Sequence, residues 1–382
     1  MSEPIHLGID VRAALRGPCG ITRYSLELAR ALLAADERIV LLLYAATRGR
    51  PGLAAATLPA DLVRHPRVRL FAPFLPAKLV NRLARLPGFR TELFTGALDV
   101  FHHTNLVYVK EWRCAEVVTI HDLAFEESRA FHDADFHDWV KERVQAAIAR
   151  AHAVIVPSAA TRADLIARWR IDPARITVVP LGADHVLRVA REERRDARRD
   201  PARPYFVAVG TLEPRKNFTR FLRAWWVARR VGLDADLVHV GPRGWLTEEF
   251  DAEVARADDG GRFVVRGAVG DGELRSWIED ALALCYPSLY ESFGLPVAEA
   301  FTLGVPVVTS NRSSTAEVAG DAAELVDPQD EAQMAEALLR LARDGRRREE
   351  LSQRGRERAK AFTWAQTTTA TLTIDRAAGA IR

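Results

Sequence analysis

The sequence predicts an α/β protein made of two doubly wound parallel-sheet domains in series. Three observations predict it. Short apolar runs alternate with helix-like segments from end to end, the rhythm of parallel sheets covered by helices. The rhythm breaks once, in the charged and apolar-poor RVAREERRDARRDPARP, then restarts. At 382 residues the chain is long enough for two cores.

The elements follow in order. IHLGIDV reads as a strand, ITRYSLELARALLAA as a helix and IVLLLYA as a strand. EVVTIHDL, the helical DWVKERVQAAIARA, AVIVPS and RITVVPLG complete a domain over 1–183. Residues 184–203 read as an inter-domain connection, because charge and two prolines leave little to bury. YFVAVG, NFTRFLRAWWVARR, ADLVHVG, RFVVRG, GELRSWIEDA, ALCYPS, PVAEAFTLG and PVVTS then give a second domain over 204–361.

Composition excludes several classes. Net charge is only +3, so no nucleic-acid partner is implied. Three scattered cysteines, with no CxxC, fit a reducing compartment and argue against structural zinc. MSEPIHLGIDV enters a strand at once, without a signal peptide. No apolar run approaches the roughly 20 residues of a membrane span. A cytoplasmic protein is expected. From 64 to 94, Arg64, Arg67, Arg69, Lys78, Arg82, Arg85 and Arg90 face only Glu92. That basic amphipathic stretch suits peripheral contact with an anionic membrane or a lipid-diphosphate acceptor, or is an ordinary surface helix.

Ligands of open parallel sheets bind beyond the carboxyl ends of the strands, so the residues there are the candidates. GTLEPRKNF starts at Gly210 after a strand and opens a helix for which Asn217 is a suitable N-cap. Arg215 and Lys216 would oppose the positive end of that helix unless an anion, expected to be phosphate, is bound. In RGPCGITRY, Gly17 and Gly20 let backbone N–H groups approach an anion, with Cys19 merely small between them. TIHDL ends a strand with His121 and Asp122, and FHHTN ends another with His103 and Asn105 as acceptor-side candidates. The DAD at 133–135 lies in a polar helix start and reads as caps rather than ligands, so no metal is predicted.

ESFGLPVAEA turns from loop to helix with Pro296 suited to the first helical position. Glu291 lies on the loop and Glu299 in the opening turns, with backbone N–H groups from Phe293 through Gly294 to Leu295. Carboxylates accept hydrogen bonds from sugar hydroxyls, and N–H groups suit phosphate oxygens. The pair reads as a clamp for two sugar rings and a diphosphate.

ESFGLPVAE resembles the E-x7-E motif of retaining glycosyltransferases of family 4. GTLEPRKN, VPSAATRADL, VVPLGAD and GVPVVTSNRSSTAEVAGDAAELVDP resemble further motifs of that family in order, across most of the chain. The resemblance implies the GT-B fold: two Rossmann-like domains facing across a cleft, with a final helix, 362–382, returning to the first. It implies that Glu299 holds the ribose hydroxyls and Glu291 touches the donor sugar. Arg215 and Lys216, helped by the Gly20 backbone, would hold the diphosphate. His121 would lie near the reacting face, and Arg266, Ala268 and Val269 would meet the base. GPCG departs from the family's more usual G-G-x-x loop at the contact carried over to Gly17 and Gly20. The overall look, including TIHDL, resembles bacterial mannosyl- and rhamnosyl-type transferases of surface polysaccharides, so GDP-mannose is the expected donor, with a saccharide or lipid-linked acceptor and no cofactor expected. The rivals are a nucleotide-sugar epimerase or a sugar phosphorylase of the same architecture, the latter lacking a suitably placed lysine for pyridoxal phosphate, and a non-catalytic nucleotide-sugar-binding protein.

Overall fold

Strands β1 (Ile5–Asp10), β2 (Ile39–Tyr44), β3 (Val68–Phe71), β4 (Val100–His103), β5 (Ala115–Thr119), β6 (Ala153–Val156) and β7 (Ile176–Val178) pair in the order 3-2-1-4-5-6-7 in the computed structural model. Strands β8 (Tyr205–Val209), β9 (Asp236–Val240), β10 (Phe263–Gly267), β11 (Ala283–Tyr286), β12 (Val307–Ser310) and β13 (Glu324–Val326) pair in the order 10-9-8-11-12-13. Every ladder among the described residues is parallel. The structure describes residues 3–46, 51–72, 92–105, 113–124, 134–193, 202–256 and 261–380.

The chain divides into two compact units, one of residues 1–181 with 364–382 and one of residues 182–363. Each sheet is doubly wound, as the sequence predicts. Strands β8 and β11 are covered on both faces and read as continuous apolar runs: all five residues of the one and all four of the other are buried. In the second unit the helix Phe218–Arg230 lays Phe221, Leu222 and Trp225 against Phe206, Leu237 and Leu338 in one core. In the first, Val118 and Val154 pack with Val144, Ile148 and Leu165 from the covering helices.

The terminal helix Trp364–Ala380 returns to the first unit, where it lies on the helix Gly20–Ala35 and on β4 and β5. Its buried face mixes Trp364, Leu372 and Ala378 with the polar Thr367, Thr368, Thr371 and Asp375, all of them covered. Thr367 donates to the Pro180 carbonyl at 2.7 Å, and Arg376 pairs with Asp36 at 2.7 Å.

Residues 184–193 belong to the second unit. They are bound into the second by Arg275, whose guanidinium donates to the carbonyls of Val186, Leu187 and Val189, and by Ser276, which donates to that of Glu192. Of the basic stretch, Lys78, Arg82, Arg85 and Arg90 lie outside the described residues. Arg67 has a structural task, donating to the carbonyls of Leu33 and Asp36 at the end of the first helix and to that of Ile39 at the start of β2. No described helix is long and apolar enough to cross a membrane.

Candidate active site

In the second unit β8 and β11 are neighbours, and the chain leaves them in opposite directions across the sheet. That is the topological switch point, where loops diverge and leave a crevice. The loop after β8 carries Gly210 to Asn217, and the loop after β11 carries Ser288 to Gly294. Leu289 N–H donates to the Arg215 carbonyl at 2.9 Å, so the two loops are bonded to each other.

Their side chains meet in one buried group. Arg215 donates to Glu291 Oε2 at 2.8 Å and to Glu213 at 2.6 Å. Lys216 Nζ donates to Glu291 Oε1 at 2.6 Å and to the Tyr286 hydroxyl at 2.5 Å. Burial raises the Glu291 carboxyl, but Arg215 and Lys216 together bring it down to about 2. Burial lowers Lys216 from the ordinary lysine value, with Glu291 opposing, and pushes the Tyr286 phenol well up.

This corrects the expectation of two uncompensated cations at a helix start. They stand on a short 3-10 turn, Pro214–Lys216, ahead of the helix, and the chain supplies two carboxylates against them. Asn217 is not a side-chain cap either. Its backbone is left-handed at φ 61°, and its amide donates to the carbonyls of Pro287 and Pro328, tying three loops together.

The Glu291 backbone is itself held. Ser313 and Ser314 donate to its carbonyl at 2.7 and 2.8 Å. Gly294 turns the chain at φ 89°, left-handed backbone that favours glycine, and the helix Leu295–Leu303 begins with Pro296 at its second rather than first position. Phe293 is buried edge-on against Phe362, with ring centroids 5.5 Å apart. Glu299 is buried in the second turn, where His185 Nε2 meets its Oε1 at 3.0 Å. Sequence reasoning missed His185; a histidine following the quoted PLGAD run was the signal. Gly210 has φ 142°, with the Lys216 stem running over it. Arg266 is engaged with Glu273 at 2.9 Å, while Ala268 is exposed and Val269 half-buried just beyond β10.

The first unit places its residues around β1, β4 and β5. Gly17 needs its φ of 116°, and Gly20 opens the first long helix. Cys19 is more than small: its sulfur caps that helix by accepting from Thr22 N–H. His121 Nε2 lies 2.9 Å from the Thr104 carbonyl. A carbonyl only accepts, so Nε2 carries hydrogen and the Nδ1 of the neutral ring is left as an acceptor. Burial lowers the His121 value, and its ring stands edge-on to Tyr24 with centroids 5.0 Å apart.

His103 is not displayed at its strand end. It is buried and bonded to Glu116 at 2.7 Å, a structural pair that leaves no geometric support for an acceptor role. Its neighbour His102 instead shares the Thr119 hydroxyl with Tyr24. Asn105 is half-buried at the end of β4, and Asp122 accepts from Ala124 N–H in a local turn. Of the DAD, Asp133 lies outside the described residues. Among the described residues no group of three or more His, Cys, Asp or Glu side chains could hold a metal.

Two family models match: one described as Glycosyltransferase Family 4 over residues 18–187, and one as Glycosyl transferases group 1 over residues 189–358. The chain belongs to the family 4 type of GT-B glycosyltransferases. This glycosyltransferase is 29% identical over 360 residues to the O-antigen chain mannosyltransferase B of Escherichia coli, covering 92% of this chain and 94% of that one. Among solved structures, the sucrose-phosphate synthase of Thermosynechococcus elongatus superposes with a TM-score of 0.75 at 21% identity over the full length of both chains. HepE of Anabaena, in complex with UDP and glucose, does so with a TM-score of 0.69 at 16% identity over 97% of this chain and 99% of that one. At those identities the likeness is one of fold.

Proposed function

We propose that this glycosyltransferase moves a hexosyl group, with retention of anomeric configuration, from a nucleoside-diphosphate sugar to a saccharide or lipid-linked saccharide acceptor in surface-polysaccharide synthesis. The donor we assign is GDP-mannose, a choice supported by the O-antigen mannosyltransferase among its relatives. The observation that carries the reading is the buried group at the β8–β11 switch point, where Glu291 fixes both Arg215 and Lys216.

Breaking a sugar–phosphate bond leaves positive charge on the ring and negative charge on the departing diphosphate, as in glycoside cleavage. Arg215 and Lys216 meet that negative charge already oriented, so little reorganisation is needed as it develops. This is why no metal is required in the proposal. Glu291 has both oxygens committed to cations and serves as their anchor and as a hydroxyl acceptor, rather than as a nucleophile. The leaving phosphate takes the acceptor's proton on the face from which it departs. Glu299 accepts from the ribose hydroxyls, and His121 accepts from a donor-sugar hydroxyl through Nδ1.

The test is transfer from labelled GDP-mannose, UDP-glucose and dTDP-rhamnose to a mixed lipid-linked acceptor, with the product's anomeric configuration read by NMR. Retained mannose from GDP-mannose is expected. An inverted product, or turnover with none of the donors, would overturn the proposal.

A further inference from the structure

We infer that His185 is a positioning residue for the nucleotide's ribose, acting through Glu299. The inference rests on the assignment of Glu299 to the ribose hydroxyls. The contact joins two elements far apart in sequence: His185 stands on the short turn Asp184–Arg188, and Glu299 on the helix Leu295–Leu303. Their 3.0 Å separation is a hydrogen-bond distance, and both side chains are buried, His185 at 3% and Glu299 at 8% exposure.

A glutamate on a helix has three side-chain torsions, and holding it in one geometry costs entropy. A diol presents two hydroxyls at fixed spacing, so a carboxylate that must find its rotamer on each binding event loses affinity. His185 removes that cost in advance. It takes one lone pair of Oε1, leaving Oε2 and the other lone pair of Oε1 to accept from a ligand.

His185 can do this because its own backbone cannot drift. Ala183 N–H donates to the Phe362 carbonyl at 2.9 Å on one side. On the other, Arg275 grips the carbonyls of Val186 and Val189. The turn is fastened before and after the histidine, and what it holds in place is an imidazole against the carboxylate.

The experiment compares His185→Ala and His185→Gln with the parent. A thermal-shift panel first selects the strongest ligand among GDP, UDP and ADP. Its affinity and that of its 2′,3′-dideoxy counterpart are then measured by calorimetry. The parent should prefer the ribonucleotide. His185→Ala should weaken the ribonucleotide about tenfold or more, the scale of one hydrogen bond to a charged group, and leave the dideoxy form unchanged. His185→Gln, whose amide still donates, should recover part of the preference; should the alanine variant fail to fold, the glutamine variant carries the comparison alone against the parent. Equal loss for both ligands would make His185 merely structural, and no loss for either would make it idle; both overturn the inference. A parent that binds a nucleotide but does not distinguish ribose from dideoxyribose would instead overturn the assignment of Glu299. A parent that binds none of the three would overturn the nucleotide reading itself.

Discussion

Lys216 and Glu291, 75 positions apart in sequence, stand 2.6 Å apart, and Arg215 occupies the other oxygen of the same carboxylate at 2.8 Å. Replacing Glu291 by Gln would leave a buried lysine and half-buried arginine without their shared counter-charge. Removing one partner of a buried pair costs about 3–5 kcal/mol. Glu291→Gln should therefore lower stability in urea by that order at pH 7. Because the folded carboxyl lies near 2, below its ordinary value of 4.5, the stability it contributes is present above about pH 4.5 and is lost as pH falls toward 2. The gap between parent and variant should shrink over that range. A gap that stays constant to pH 3 would contradict the pairing.

Glu299→Gln keeps the size of the side chain but removes its charge. Nucleotide affinity should fall by about 1.5–3 kcal/mol, the worth of a hydrogen bond to a charged acceptor. Circular dichroism should be unchanged. Calorimetry showing parental affinity would remove Glu299 from the ribose.

Turnover should be the same with and without EDTA, since the cations proposed to meet the diphosphate are Arg215 and Lys216. Activity lost to the chelator and restored by manganese or magnesium would return attention to the acidic run at 133–135.

His121 lies in the first unit, whereas the residues proposed to hold the nucleotide diphosphate lie mainly in the second. His121→Ala should lower kcat strongly while leaving nucleotide affinity close to that of the parent, the mark of a contact made during transfer rather than in nucleotide binding. A folded variant that no longer binds nucleotide would show that this division of labour is wrong.

Periodicity and punctuation in the sequence were enough for two doubly wound sheets, because β8 and β11 are covered on both faces and are apolar throughout. The motif around Glu291 and Glu299 was legible for a similar reason. A left-handed Gly294 and an early Pro296 are local backbone requirements, written in the residues that meet them. Partnerships were not legible. Arg215 and Lys216 looked like cations awaiting an anion because Glu291 reaches them only when β8 and β11 become neighbours. His103 and His102 are adjacent in sequence, but strand alternation sends one to Glu116 and the other to Thr119. Asn217 became a tie between loops and His185 a neighbour of Glu299, each through a contact that the fold makes. Local conformation depends on a residue and its neighbours and is carried by the sequence itself. The charge a side chain faces depends on residues brought in from elsewhere, and that was decided only by the tertiary structure.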